Sequence, residues 1–310
     1  MKKIIYPVIL IGFLLYILIF PEESVNAAAL GLNLWYEKML PTLLPFSILS
    51  YILIHSGILD GLTREIHRLL KHIFPVSSAG IYPLAAGLLF GFPMGSKITA
   101  DLVTAGKMSR EEGQRLFCVC NNISPVFIGS FILNDCLNRP DLRIPSYLIL
   151  YTPPLILYML QNGRKTFTVP KEHTSLAGQS LKKTTSMSFQ IIDAGIMNGF
   201  ETLAKLGGYI ILFAILAQMT ALLPLSNPIL KCLLIGFTEI TNGISYTARQ
   251  NLDFQIMYPL MMAYTAFGGL SGFAQTASMV KECRFSMLPY FLTKIFQTTA
   301  AFLLALIFVC

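Results

Sequence analysis

Charge is what this chain has least of. Only 13% of its 310 residues are Asp, Glu, Lys or Arg, against 54% hydrophobic residues, and its mean hydropathy is +0.63. Those values exclude an ordinary soluble domain and indicate a polytopic membrane protein. Histidine (4) and cysteine (6) are sparse as well. Cys118 and Cys120 lie in an apolar run with no second CxxC and no clustered histidines, so they read as small apolar side chains in a reduced setting rather than as metal ligands. No P-loop, HExxH or paired-carboxylate pattern occurs, and neither a cofactor nor a metal is expected. The net charge is +7, but the basic residues gather in short segments between apolar runs, where they act as topology signals. The expected partner is therefore the lipid bilayer and not nucleic acid. A homo-oligomer is left open.

What is present is long apolar runs: Ile4 to Phe20, Met39 to Ile58, Leu116 to Leu133, Ser146 to Gln161, Leu206 to Leu223, Gln255 to Val280 and Leu288 to Val309. Each approaches the roughly 20 residues that a spanning helix needs. Lys2-Lys3, the first run and Ala27-Ala28-Ala29 together imitate a signal peptide. That run exceeds the usual apolar core of such a peptide, so a retained helix is the favoured reading, with residues 1–25 as an N-terminal transmembrane segment. Two further stretches, Gly80 to Ser96 and Pro228 to Tyr246, are interrupted by Gly, Pro and polar residues.

Charge asymmetry assigns the interrupted stretches a path. Lys2 and Lys3 keep the N-terminus cytoplasmic. The second run then returns to Arg64, His67, Arg68, Lys71 and His72, interleaved with Ile66, Leu69, Leu70 and Phe74 at helical spacing, which reads as an interfacial cytoplasmic helix. The segment 163–188 is basic and cytoplasmic by the same rule. Counting back places Lys107 to Arg115 inside too, so residues 80–106 must enter and leave by the same face. Counting forward to Lys281 and Arg284 requires residues 228–250 to enter from the opposite face. The expectation is an all-α integral membrane protein with about seven spanning helices and two re-entrant helical hairpins in an inverted repeat. Repeat A covers 26–162 and repeat B 189–310, with the basic loop 163–188 between them. Gly31-Leu32 to Glu37 resembles Gly195-Ile196 to Glu201, which supports the same division; Glu37 and Glu201 read as interfacial helix starts.

Inside that frame the polar breaks pair up. Gly91-Phe92-Pro93-Met94-Gly95-Ser96 followed by Asn121-Asn122-Ile123-Ser124-Pro125 is echoed by Glu239-Ile240-Thr241-Asn242-Gly243 followed by Gly268-Gly269-Leu270-Ser271-Gly272. Unpaired backbone groups in hydrocarbon cost several kcal/mol, and paired breaks of this kind mark binding sites at repeat interfaces. The candidate substrate-binding residues are Gly95, Ser96, Lys97, Asn121, Asn122, Ser124, Thr241, Asn242, Ser271 and Gln275. Amides near Gly95-Ser96 at a helix start attract carboxylates; Lys97 either adds a full charge there or snorkels to the surface. Asn121 and Asn122 either contact ligand or join helices. Glu239 is the candidate for a coupling proton or cation, with a structural pairing to Lys205 or Lys231 as the alternative. The Gly268 to Gly272 break serves either close approach to a ligand or tight packing of small residues.

Gly269-Leu270-Ser271-Gly272 matches the GxSG of rhomboid intramembrane proteases, but His55, His67, His72 and His173 all precede Ser271. Those enzymes carry the partner histidine on a later helix, and a serine without its base is not activated, so no enzyme activity is expected. The runs Gly87 to Lys97, Cys120 to Pro125 and Phe267 to Ser271 resemble those of YlbJ-type sporulation integral membrane proteins. That group falls within the nucleoside-recognition or Gate-domain membrane proteins, similar in hairpin architecture to concentrative nucleoside transporters. The resemblance runs from about Gly31 to the C-terminus. It implies a spore-forming bacterium and the movement of a small organic anion, dipicolinic acid, across the outer forespore membrane. Nucleoside transport and a non-transport scaffold or sensor recruiting partners through Lys171 to Ser188 are the alternatives.

Overall fold

The computed structural model describes residues 2–70, 75–162 and 189–309, and among these every regular element is helical. In chain order they are α1 (Lys2–Ile19), α2 (Pro21–Leu34), α3 (Leu40–Ser56), α4 (Ile58–Leu70), α5 (Ile81–Leu89), α6 (Met94–Thr104) and α7 (Arg110–Val119). Then come α8 (Arg143–Asn162), α9 (Phe189–Ala221), α10 (Pro228–Thr238), α11 (Ile240–Ala248), α12 (Phe254–Phe267), α13 (Gly269–Met279) and α14 (Met287–Val309). Two π-helical segments intervene, Trp35–Met39 between α2 and α3, and Phe127–Cys136 before α8.

Among the described residues three helices are long and apolar enough to cross a membrane: Pro21–Ser56, Phe189–Ala221 and Met287–Val309. The first two run well past the apolar stretches that hydropathy picks out. Ser24 to Asn33 is too small and polar to score, yet Ser24, Ala27 and Gly31 are buried. Helix continuity there comes from packing on α9. The two long helices run antiparallel: a Cβ at Gly31 would meet Ile210 to Ala214, Trp35 covers Gly207, Leu44 meets Gly199, and Tyr51 meets Gly195. Trp35 Nε1 also donates to the Leu203 carbonyl at 2.8 Å. Small residues let backbones approach, and close packing replaces the hydrophobic drive that lipid cannot supply. Glu37 therefore lies inside a π-helical segment of a 36-residue helix, and Glu201 inside α9, rather than at helix starts.

The exposed residues follow the same logic. Leu10, Leu14 and Leu18 of α1, Leu160 of α8 and Ile307 of α14 are open large hydrophobics, a surface that costs free energy in water and none in acyl chains. α4 differs, being amphipathic: Leu59 and Thr63 are buried while Ile58, Leu62 and Leu69 are exposed beside Arg64 and Arg68. The positions Lys71, His72 and Phe74 of the interfacial-helix reading lie outside the described residues, as does the basic loop 163–188. Behind these surfaces α14 packs along α12, α8 and α7, and the short pairs α5 with α6 and α10 with α11 each pack on themselves.

Candidate functional site

The first break follows from its sequence. Pro125 removes one donor, and α7 ends at Val119, leaving the carbonyls of residues 119 to 125 to find partners. The partners of those at 119, 121, 122, 123 and 125 come from other parts of the chain or from a side chain of the break itself. Asn122 Nδ2 donates to Val119 O at 2.7 Å, and Lys294 Nζ to Asn121 O at 2.7 Å. Phe92 N–H donates to Asn122 O at 2.6 Å. Tyr151 and Tyr147 hydroxyls reach Ile123 O at 2.7 Å and Pro125 O at 3.1 Å. The turn between α5 and α6 is thus bonded directly to the break. It can approach because Gly87 and Gly95 flank the Cys120 carbonyl, where any Cβ would overlap the oxygen.

The second pair is built from a side chain instead. Glu239 is extended between α10 and α11 (φ −148°, ψ 123°). Its carboxylate accepts from Thr241 N at 3.1 Å, from Asn242 N at 2.8 Å and from Asn242 Nδ2 at 2.9 Å. This is a helix N-cap made by an acid, satisfying the orphan donors of α11 and matching its positive end. The pairing with Lys205 does not form, since Lys205 bonds Glu201 at 2.6 Å. Nearby, α12 ends at Gly268, whose φ of +86° is left-handed and suited to glycine. Gly269 lies against Thr238 and Glu239, and the Phe92 ring lies over Gly268 and Gly272. One turn therefore meets both breaks.

These elements enclose a chamber of about 60 Å³ lined by Phe90, Phe92, Ser124, Glu239, Thr241, Gly268, Ser271 and Gln275, among others. It shares Phe90, Ser124, Phe127, Glu239 and Thr241 with a wider cavity of about 800 Å³. That cavity runs between Leu30 to Leu43, the 210–221 part of α9, the Phe127–Cys136 segment and α11, and carries Glu37, Lys38, Asp135 and Arg249 on its walls. Both π-helical segments line it, which fits the general placement of such turns at functional sites.

The candidate residues divide accordingly. Ser124, Thr241, Ser271, Gln275 and Glu239 line the chamber, and Asn242 lines the wider cavity. Ser271 Oγ accepts from Gln275 Nε2 at 2.8 Å. Gly95, Ser96, Lys97, Asn121 and Asn122 are not among the lining residues of either space. Lys97 is 4% exposed, so it does not snorkel; its ammonium donates to Asp101 Oδ2 at 2.6 Å and to Asn198 Oδ1 at 2.7 Å. Asn121 Nδ2 donates to Thr276 Oγ1 at 2.5 Å and to Tyr290 OH at 2.8 Å, joining α13 and α14 to the break. Among the described residues no group of three or more His, Cys, Asp or Glu side chains is placed to hold a metal. Lys294, 3% exposed on α14, escaped sequence reasoning. The signal was there: a lone cation inside an apolar run is a functional hypothesis by default.

Long apolar helices, exposed leucines and a cavity where two helix breaks meet define, among the described residues, an all-helical integral membrane protein. The chain is a homologue of the sporulation integral membrane protein YlbJ of Bacillus subtilis (strain 168), 26% identical over 307 residues that cover 89% of this chain and 75% of that protein. No family model matches the chain, and no solved structure matches it.

Proposed function

We propose that the protein is a membrane transporter for a small organic anion, dipicolinic acid in particular, delivered to the forespore across its outer membrane during sporulation. One observation carries the transport reading: both helix-pair turns and both helix breaks converge on the same chamber. In this reading α5/α6 and α10/α11 are re-entrant hairpins entering from opposite faces, the halves 26–162 and 189–310 form an inverted repeat, and the chamber is the alternating-access site. The homology to a sporulation protein supports the setting. Lys38 and Arg249 on the wider cavity are the cations that would meet an anion, beside the acids Glu37 and Asp135 on the same walls. Glu239 at the deep end opposes a dianion while ionised, and a proton or cation on its carboxylate removes that repulsion, which makes it the coupling group. No enzymatic step is proposed, because the Ser271 hydroxyl is engaged by an amide and not by a base.

A nucleoside-type substrate is the second reading. It is favoured by Lys97, whose charge is bonded to Asp101, leaving the chamber with neutral hydroxyl and amide groups around one acid. The test is uptake of labelled dipicolinate, and separately of labelled nucleosides, into proteoliposomes holding the full chain. Dipicolinate flux above empty vesicles is expected, with a loss of about tenfold or more in Gln275→Ala, equal to about 1.4 kcal/mol of barrier. Flux of nucleoside alone selects the second reading. No flux of either overturns transport, and a scaffold would then lose function on deletion of Lys171 to Ser188.

A further inference from the structure

α7 and α12 both end in the middle of the protein, and a helix C-terminus carries unsatisfied carbonyls with partial negative charge. The two ends converge on one atom. Lys294 Nζ donates to Asn121 O, just past the end of α7, at 2.7 Å, and to Ala266 O, in the last turn of α12, at 3.2 Å. Its third partner is Gln297 Oε1, one turn further along α14, at 3.0 Å. All three are neutral oxygens, and among the described residues no carboxylate pairs with Lys294; the ionisable groups that act on it are the thiols of Cys118 and Cys120. Asn121 Oδ1, on the same break, is buried without a partner and adds another oxygen to the neighbourhood.

Removing one of two paired ions from a protein interior is strongly destabilising because a charge is left uncompensated. Here the compensation comes from two helix-end carbonyls, the Gln297 amide oxygen and the Tyr290 ring 5.8 Å away, an arrangement that suits an N–H-bearing cation. The distances belong to N–H···O contacts and exceed the ~2.3–2.6 Å of calcium to oxygen; with no carboxylate present, a divalent metal is disfavoured. We propose that the carbonyls of Asn121 and Ala266 and the Gln297 amide form a monovalent-cation site of ammonium type. The chain fills it with its own tethered ammonium, so that α14 holds the two breaks in register. Lys294 is on this account a positioning residue for the chamber on the other side of the breaks. The inference does not depend on transport or on any substrate.

The test is chemical replacement. Lys294→Ala removes three carbons and the nitrogen, the size of n-propylammonium. The full-length variant is extracted and purified in detergent with n-propylammonium chloride, with tetramethylammonium chloride of equal ionic strength, or with sodium chloride, and its thermal unfolding midpoint is measured. Propylammonium should raise the midpoint in a saturable way, by about 3 °C or more, while tetramethylammonium, which has the charge but no N–H donors, should not. If the variant is too unstable to recover in sodium chloride, recovery of a monodisperse species in propylammonium alone is the equivalent positive result. Lys294→Met, which fills the space with an apolar chain, should be unstable and unresponsive to all three salts. Equal midpoints of Lys294→Ala and wild type, equal behaviour in the three salts, or loss of folded protein in all of them overturns the proposal.

Discussion

The two short helix pairs do the same job by different means. The α5/α6 turn is held by backbone: an N–H from Phe92 to Asn122 O, with glycines pressed on the Cys120 carbonyl. It has no adjustable side chain and no charge of its own in the chamber. The α10/α11 turn is held by the Glu239 carboxylate, which caps α11 and faces the cavity at once. A backbone clamp does not respond to protons or ions, whereas a carboxylate does. The first pair is therefore a fixed abutment, and the second is the element on which a bound proton or cation can act.

The largest expected effect breaks the abutment. Gly87→Val places a branched side chain on the Cys120 carbonyl, where backbone faces backbone and no side chain can yield, and should cost about 3 kcal/mol or more. Failure to recover monodisperse protein, or a large drop in thermal midpoint, is the readout; a wild-type midpoint would show the clamp to be loose. Next comes Asn121→Ala, which removes the amide donor shared by Thr276 Oγ1 and Tyr290 OH and should cost about 1–3 kcal/mol, read by the same thermal unfolding.

Glu239→Gln sharpens the contrast at the second pair. The amide keeps one of the two accepting oxygens and turns its NH2 toward the other backbone N–H, so stability should fall by about 1–2 kcal/mol, while any pH dependence of flux in proteoliposomes should disappear. A variant that keeps the wild-type pH profile would remove Glu239 from the coupling role.

The smallest effect is at the entrance to the first pair, in the 107–115 segment read as cytoplasmic. Glu112 is fully buried, accepts from Ser77 N at 2.7 Å, and has its other oxygen without a partner. Burial raises its pKa above the ordinary 4.5, with the hydrogen bonds from Ser77 opposing. An acid whose folded pKa is raised binds its proton more tightly when folded, so its contribution is fully present below 4.5 and declines as pH rises through the folded value. Glu112→Gln should flatten that decline in a plot of thermal midpoint against pH, with a change under about 1 kcal/mol. A decline of unchanged slope would assign the pH dependence to other groups.

Much of the site was legible in the chain because lipid-depth sequence makes polar breaks conspicuous. Glu239, Thr241, Ser124, Ser271 and Gln275 stand out against Leu, Ile and Phe, and they line one chamber. Lys97, Asn121 and Asn122 stand out equally and do not line it, because the same polarity serves to satisfy buried backbone and to join helices; Ser96 does not line it either, and its buried hydroxyl has no partner. Which use a residue has depends on its direction in space, and hydropathy carries no direction. Lys294 was hidden for the opposite reason: averaged over Met287–Val309, one cation barely lowers the hydropathy.

By itself the sequence determined that this is a helical membrane protein, where its helices break and which polar residues stand at the breaks, since local composition controls transfer to lipid and proline and glycine control backbone hydrogen bonding. Only the tertiary structure decided that small residues in Pro21–Leu34 extend a helix along α9, that Lys97 is paired away from the chamber, and that one ammonium on α14 joins two helix ends. Those outcomes depend on contacts between segments far apart in the chain, and electrostatic and packing energies act through distance in space rather than along the sequence.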